Sequence, residues 1–152
     1  MMNLREQMLS DKSILISQNI DALTTQINDC NDLINKLQDD IIIVQELCSD
    51  MPDDGFITNT NYWIQFNKIT IQLLQDEICL LENMKAPKGM RPNDLIPYCE
   101  KTFIENVEKC KLHESVMYRK GIIDNNQHTE LLNELQQKIQ HFNRLVFISQ
   151  NA

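Results

Sequence analysis

Glycine and proline are scarce in this chain, with 3 and 4 residues among 152. That argues against loop-rich sandwiches, doubly wound α/β folds and glycine-rich phosphate cradles, all of which depend on tight turns. Long apolar runs are missing too: none exceeds four residues, as in Ile41–Val44. Neither a signal peptide nor a membrane span is therefore expected. The five cysteines form no C-x-x-C pair, and their odd number does not suit a disulfide framework. They are expected to be reduced, buried thiols. The three histidines, His113, His128 and His141, offer no i,i+4 pair and no H-E-x-x-H motif. No G-x-S-x-G elbow, Walker loop or dinucleotide fingerprint is present. The sequence thus predicts no catalytic residue, cofactor, metal site or small-molecule substrate.

Asparagine and glutamine are plentiful, 29 together, so the surface is rich in amides. The net charge of −8 is placed unevenly. Residues 1–61 carry eleven acids against Arg5, Lys12 and Lys36, and the remainder is balanced. An acidic N-terminal segment repels duplexes and anionic membranes, so neither is an expected partner. Lys85–Lys120 is mildly basic and reads as an ordinary mixed helix face.

All the glycines and prolines cluster at Pro52–Gly55, at Pro87–Pro97 and at Gly121. Between them lie uninterrupted stretches with helical periodicity. The first predicted helix spans about residues 3–50. Its apolar seam is Ile16, Ile20, Leu23, Ile27, Cys30, Ile34, Leu37, Ile41, Val44, Cys48 and Met51, spaced alternately by four and three without a fault. That is a coiled-coil pattern. A helix this long reaches roughly 70 Å, more than the width of a globule of this size. Either the molecule is elongated or part of the seam awaits a partner. The flanking positions lack complementary charge, and Leu33, Leu47, Ile42 and Ile43 widen the stripe, which suits a multi-helix bundle better than a two-stranded coil.

The second predicted helix covers about 61–85, with Thr58-Asn59-Thr60 as its N-cap region. Residues 63–73 also alternate in part like a strand. The unbroken switch to helical spacing beyond them favours helix. Tyr62-Trp63 reads as an aromatic staple that fixes the return of the chain onto helix one, with a partner anchor as the alternative. The third helix covers about 94–120, after Pro92-Asn93-Asp94 and before Gly121 as a C′ residue. The fourth covers about 125–149 and is capped by Asp124 or Asn125. Its seam is His128, Leu132, Leu135, Ile139, Phe142 and Val146. Met84–Pro92 reads as a solvated turn and His113 as a solvated face residue. His128 is expected half exposed and His141 on the surface.

The predicted fold is all-α: an elongated helical bundle or coiled coil within a single domain, 1–152. It consists of a long helix over 1–51 and a three-helix portion over 56–152. One combination of features resembles the helical region of central-channel nucleoporins of the 58-kilodalton type. A long acidic helix ends in a Pro/Gly turn, an Asn/Thr stretch leads to Tyr62-Trp63, a helix closes on Leu81-Glu82-Asn83, and the next opens with Pro92-Asn93-Asp94-Leu95. The resemblance covers about residues 15–120. The chain departs from that family in lacking an FG-repeat tail and in having a shorter third helix. The resemblance implies a coiled-coil scaffold subunit with helical partners and no catalytic residue.

The expected function is a non-enzymatic assembly subunit, homo- or hetero-oligomeric, that zips against other α-helical chains. Its expected partner-binding residues are Ile16, Ile20, Leu23, Ile27, Ile34, Leu37, Ile41, Val44, Leu135, Ile139 and Phe142. The alternative is a self-contained helical adaptor or regulatory module. A reducing compartment, cytoplasm or nucleus, is expected from the cysteine usage.

Overall fold

A computed structural model describes residues 3–47 and 55–151. The chain forms four helices: α1 (Leu4–Leu47), α2 (Phe56–Lys85), α3 (Leu95–Arg119) and α4 (Asn125–Asn151). A short 3₁₀ turn, Lys88–Met90, lies between α2 and α3. No strand occurs among the described residues, and residues 63–73 are helical. The all-α reading holds, with one long helix and three shorter ones.

The helix ends follow from local chemistry. Gly121 takes φ 75°, and it closes α3 with the paired bonds of a Schellman turn. Ile122 N–H donates to the Met117 carbonyl at 2.9 Å, and Gly121 N–H donates to Tyr118 at 3.0 Å. Asp124 and Gln127 begin α4 with a reciprocal capping box. Gln127 N–H donates to Asp124 Oδ1 at 2.7 Å, and Asp124 N–H donates to Gln127 Oε1 at 2.9 Å. The start of α2 differs from expectation. It begins at Phe56, so Thr58, Asn59 and Thr60 lie inside the helix rather than capping it. Gly55, at φ 84°, supplies the left-handed turn, and no side chain caps the helix. A glycine next to an apolar residue carries no N-cap signal in side-chain chemistry, and this hid the start. The expected end of helix one at residue 50, together with Cys48 and Met51 of its seam, lies outside the described residues.

α2 and α3 run antiparallel, as do α3 and α4. Along α2 and α3, Tyr62 meets His113, Asp76 meets Asn106, and Cys79 meets Cys99. Along α3 and α4, Phe103 stacks on Phe142 and Tyr118 on His128. α2 is the central element and packs against α1, α3 and α4. Two apolar stripes along α2 explain this: Phe66, Ile69, Leu73, Leu80 and Met84 form one, and Ile64, Ile71, Leu74, Ile78 and Leu81 the other. A helix apolar around most of its girth must be covered on several sides. The core joins Ile16 and Ile20 of α1 to Leu73, Leu80 and Met84 of α2. Phe103 and Val107 of α3 and Leu135, Phe142 and Val146 of α4 complete it.

α1, at 44 residues, is 14 longer than α2. That is a difference of about 20 Å at roughly 1.5 Å per residue.

The loop after α2 is largely exposed, as expected, with Pro87, Gly89, Met90 and Pro92 at the surface, but Arg91 ties it down. Arg91 is half-buried, and its guanidinium donates to three backbone carbonyls: Ala86 at 2.9 Å, Met84 at 3.2 Å and Ser149 at 3.0 Å. One cation thus closes the C-terminal ends of α2 and α4, where carbonyls are left without intrahelical donors and the helix dipole is negative. We predict that Arg91→Ala lowers unfolding free energy by about 2 kcal/mol in urea denaturation, because buried carbonyls lose charged donors. A loss within about 0.5 kcal/mol, as for a plain surface site, would contradict that role.

Candidate functional site: an internal seam, a polar interior and a residual apolar face

Each seam residue now has a place. Ile16, Ile20, Ile34, Leu135 and Phe142 are buried, and Leu23, Ile27, Leu37, Ile41, Val44 and Ile139 are half-buried. Ile16, Ile20, Leu135 and Phe142 meet in the common core, with Leu23 and Ile139 packed against it. The seam of α1 is therefore covered to a large extent by the chain's own helices, chiefly α2.

What α1 leaves open lies beside the seam. Leu33 and Leu47, two heptads apart on one side, are 42% and 79% exposed. Ile43, one turn before Leu47, is also exposed, as are Ile42 and Phe56, the first residue of α2. This is the widening of the stripe visible in the sequence. Between residues 29 and 47, Asp29, Asp32, Asp39, Asp40 and Glu46 face only one base, Lys36. The remaining apolar positions on this half of α1 are thus set among acids.

The interior holds carboxyl groups that the sequence reading did not single out. Glu77 on α2 is 3% exposed and Glu114 on α3 is 1% exposed. Burial pushes the Glu77 carboxyl up to about 7 from an ordinary value of 4.5, a rise moderated by the Lys138 ammonium and reinforced by Asp76. Burial likewise raises Glu114, against the lowering effects of Cys110, His128 and Lys138. The Cys110 thiol donates to Glu114 Oε1 at 3.4 Å. Burial and the neighbouring Glu114 hold that thiol up at about 12, so it is not a nucleophile at neutral pH. Asp76 is raised by burial, offset in part by the 2.7 Å hydrogen bond from Asn106 Nδ2.

Glu77 faces an open cleft of about 290 Å³ between α1, α2 and α4, together with Gln26, Gln137, Lys138 and His141. Among the described residues, no group of three or more His, Cys, Asp or Glu side chains is arranged to hold a metal ion. The cleft presents a carboxyl, an ammonium, an imidazole and amides.

A signal for Glu77 was present in the sequence. Leu73, Leu74, Leu80 and Leu81 flank it at i−4, i−3, i+3 and i+4, so it sits within an apolar stripe. Glu114 has only Cys110 and Met117 as comparable neighbours and was harder to find.

The histidines divide. His141 is exposed and His128 half-buried, in line with expectation. His128 also stacks on Tyr118 at 4.7 Å between ring centroids. His113 differs from expectation. Its Nε2–H donates to the Tyr62 carbonyl at 2.7 Å, and its ring lies 5.5 Å from the Tyr62 ring. Tyr62 therefore staples α2 to α3, a contact that the sequence reading onto helix one did not anticipate. Trp63 makes an edge contact with Phe66 on its own helix. Short spacing on one helix cannot reveal which neighbouring helix a ring will meet.

No family model, curated protein or solved structure matches this chain. Among the described residues, no helix is long and apolar enough to cross a membrane.

Proposed function

We propose that this chain is a self-contained, non-enzymatic helical-bundle module that binds another α-helical protein through the far half of α1. The observation that carries this reading is the division of α1's apolar surface. Its seam is buried or half-buried within the chain, while Leu33, Ile42, Ile43 and Leu47 stay exposed among aspartates. A partner helix with an apolar stripe and basic flanks would complement that face in both hydrophobicity and charge. An assembly subunit of the kind implied by the nucleoporin resemblance would use the same face for its helical neighbours. The free thiols suit a reducing compartment.

Two measurements test the proposal. Light scattering on the purified chain, with circular dichroism on the same peak, is expected to give a helical monomer at 17.8 kDa. An obligate oligomer, or a chain that folds only with a partner, would return the seam itself to the role of interface. The double variant Leu33→Glu/Leu47→Glu is expected to keep stability within about 0.5 kcal/mol at each exposed site. Photo-cross-linkers at Ile43 in cells should then lose the adducts they form in the wild-type chain. Adducts unchanged by the variant would overturn the assignment of the face.

A further inference from the structure

Cys79 on α2 and Cys99 on α3 lie on facing sides of two antiparallel helices, with their sulfurs 3.3 Å apart. Cys99 is 2% exposed, while Cys79 is half-buried and is the more accessible residue of the two. No other pair of described cysteines is in contact: Cys30 lies on α1, and Cys110 is engaged with Glu114. A disulfide requires sulfurs about 2.05 Å apart, so the two side chains need to close by only a little over an ångström. The bridge would link positions 20 residues apart, on either side of the loop that Arg91 anchors.

We propose that Cys79 and Cys99 form a dithiol modification site, converted to a disulfide between α2 and α3 by a small disulfide oxidant such as glutathione disulfide. The accessible Cys79, as thiolate, attacks one sulfur of the oxidant. A mixed disulfide forms and one glutathione thiolate leaves. Cys99 then gives up its proton to water, and its sulfur attacks Cys79 Sγ and expels the second glutathione. Two protein thiols are oxidised, one glutathione disulfide is reduced to two thiols, and the two protons released balance the two leaving thiolates. Burial and the adjacent Cys79 raise the Cys99 thiol, so in the reduced pair Cys99 is the less favoured of the two to open the exchange. The bridge fastens α2, the helix that every other helix packs on, to α3.

The test uses the full reduced chain incubated with glutathione disulfide at mildly alkaline pH, followed by intact-mass analysis and peptide mapping. The expected product has lost two hydrogens, carries a Cys79–Cys99 cross-linked peptide, and reverts with dithiothreitol. Cys99→Ser should stop at the glutathione adduct on Cys79, and Cys79→Ser should yield no cross-link. The oxidised wild-type chain should melt several degrees higher than the reduced one, a difference absent from Cys79→Ser/Cys99→Ser. Two results would overturn the proposal. One is glutathione spread over the cysteines without a Cys79–Cys99 link. The other is no reaction under conditions that fully oxidise a reference dithiol protein.

Discussion

Phe142→Ala is expected to cost about 3–5 kcal/mol of unfolding free energy, the range for deleting a fully buried aromatic ring. Phe142 is 1% exposed, and its ring lies parallel to Phe103 with the centroids 3.8 Å apart. The pair joins α4 to α3, in the same core as Ile16, Ile20 and Leu73. Truncating one ring leaves the face of the other without a neighbour, and close-packed helices recover little of the lost volume. Against a typical domain stability of about 5–15 kcal/mol, the variant stands near the edge of unfolding. Urea denaturation followed by circular dichroism measures the change. A loss below about 1 kcal/mol would mean that α4 is not packed on α3 through this pair. The same variant separates two meanings of the α4 seam: as a core residue Phe142 governs folding, whereas as an interface residue it would leave the isolated chain intact.

Glu77→Gln is expected to stabilise the protein at about pH 8 and to change little at about pH 5. The folded chain holds the Glu77 proton up to about pH 7, whereas the unfolded chain releases it near 4.5. Between those values the unfolded state binds fewer protons, so stability falls as pH rises through the window, and above it the penalty is complete. At about 1.4 kcal/mol per pH unit of difference, the ionised, buried carboxylate costs on the order of 3 kcal/mol. Burial raises Asp76 and Glu114 in the same direction, so the wild-type chain should be more stable in mild acid than in mild alkali. Glutamine keeps the shape and removes the charge, and its melting temperature at about pH 8 should exceed the wild-type value by roughly 6–12 °C. Equal melting temperatures at both pH values, or a destabilised variant at about pH 8, would show instead that the carboxylate is ionised and held by Lys138. A ligand with an ammonium group seated in the Glu77–Lys138 cleft would produce the same reversal.

The local features of this molecule could be read before any coordinates. Helix boundaries depend on residues within a few positions of one another, and here the signals were strong. The cluster that begins at Pro87 lies between α2 and α3, Gly121 follows the end of α3, and Asp124 caps the start of the last helix. Among the described residues, α2 starts at Phe56 rather than near residue 61, because Gly55 turns the chain without a capping side chain. The apolar periodicities of the first and last helices also identified much of their buried faces: Ile16, Ile20, Ile34, Leu135, Phe142 and Val146 are buried, whereas Leu132 is exposed.

The identity of each face's neighbour was decided in three dimensions. An unbroken heptad seam specifies an apolar stripe and is silent on whether a second chain or the next helix covers it; in this chain α2 covers most of it. The relative register of α2 and α3 brings Cys79 to Cys99, Asp76 to Asn106 and His113 to the Tyr62 carbonyl, and a shift of one helical turn would dissolve all three pairs. The reach of Arg91 to carbonyls at the ends of two helices depends on where α4 finishes relative to α2. Helix propensity and apolar spacing are properties of single segments, so the sequence carries them openly. Register and crossing angle come from side-chain packing summed over whole interfaces, and no single residue announces them.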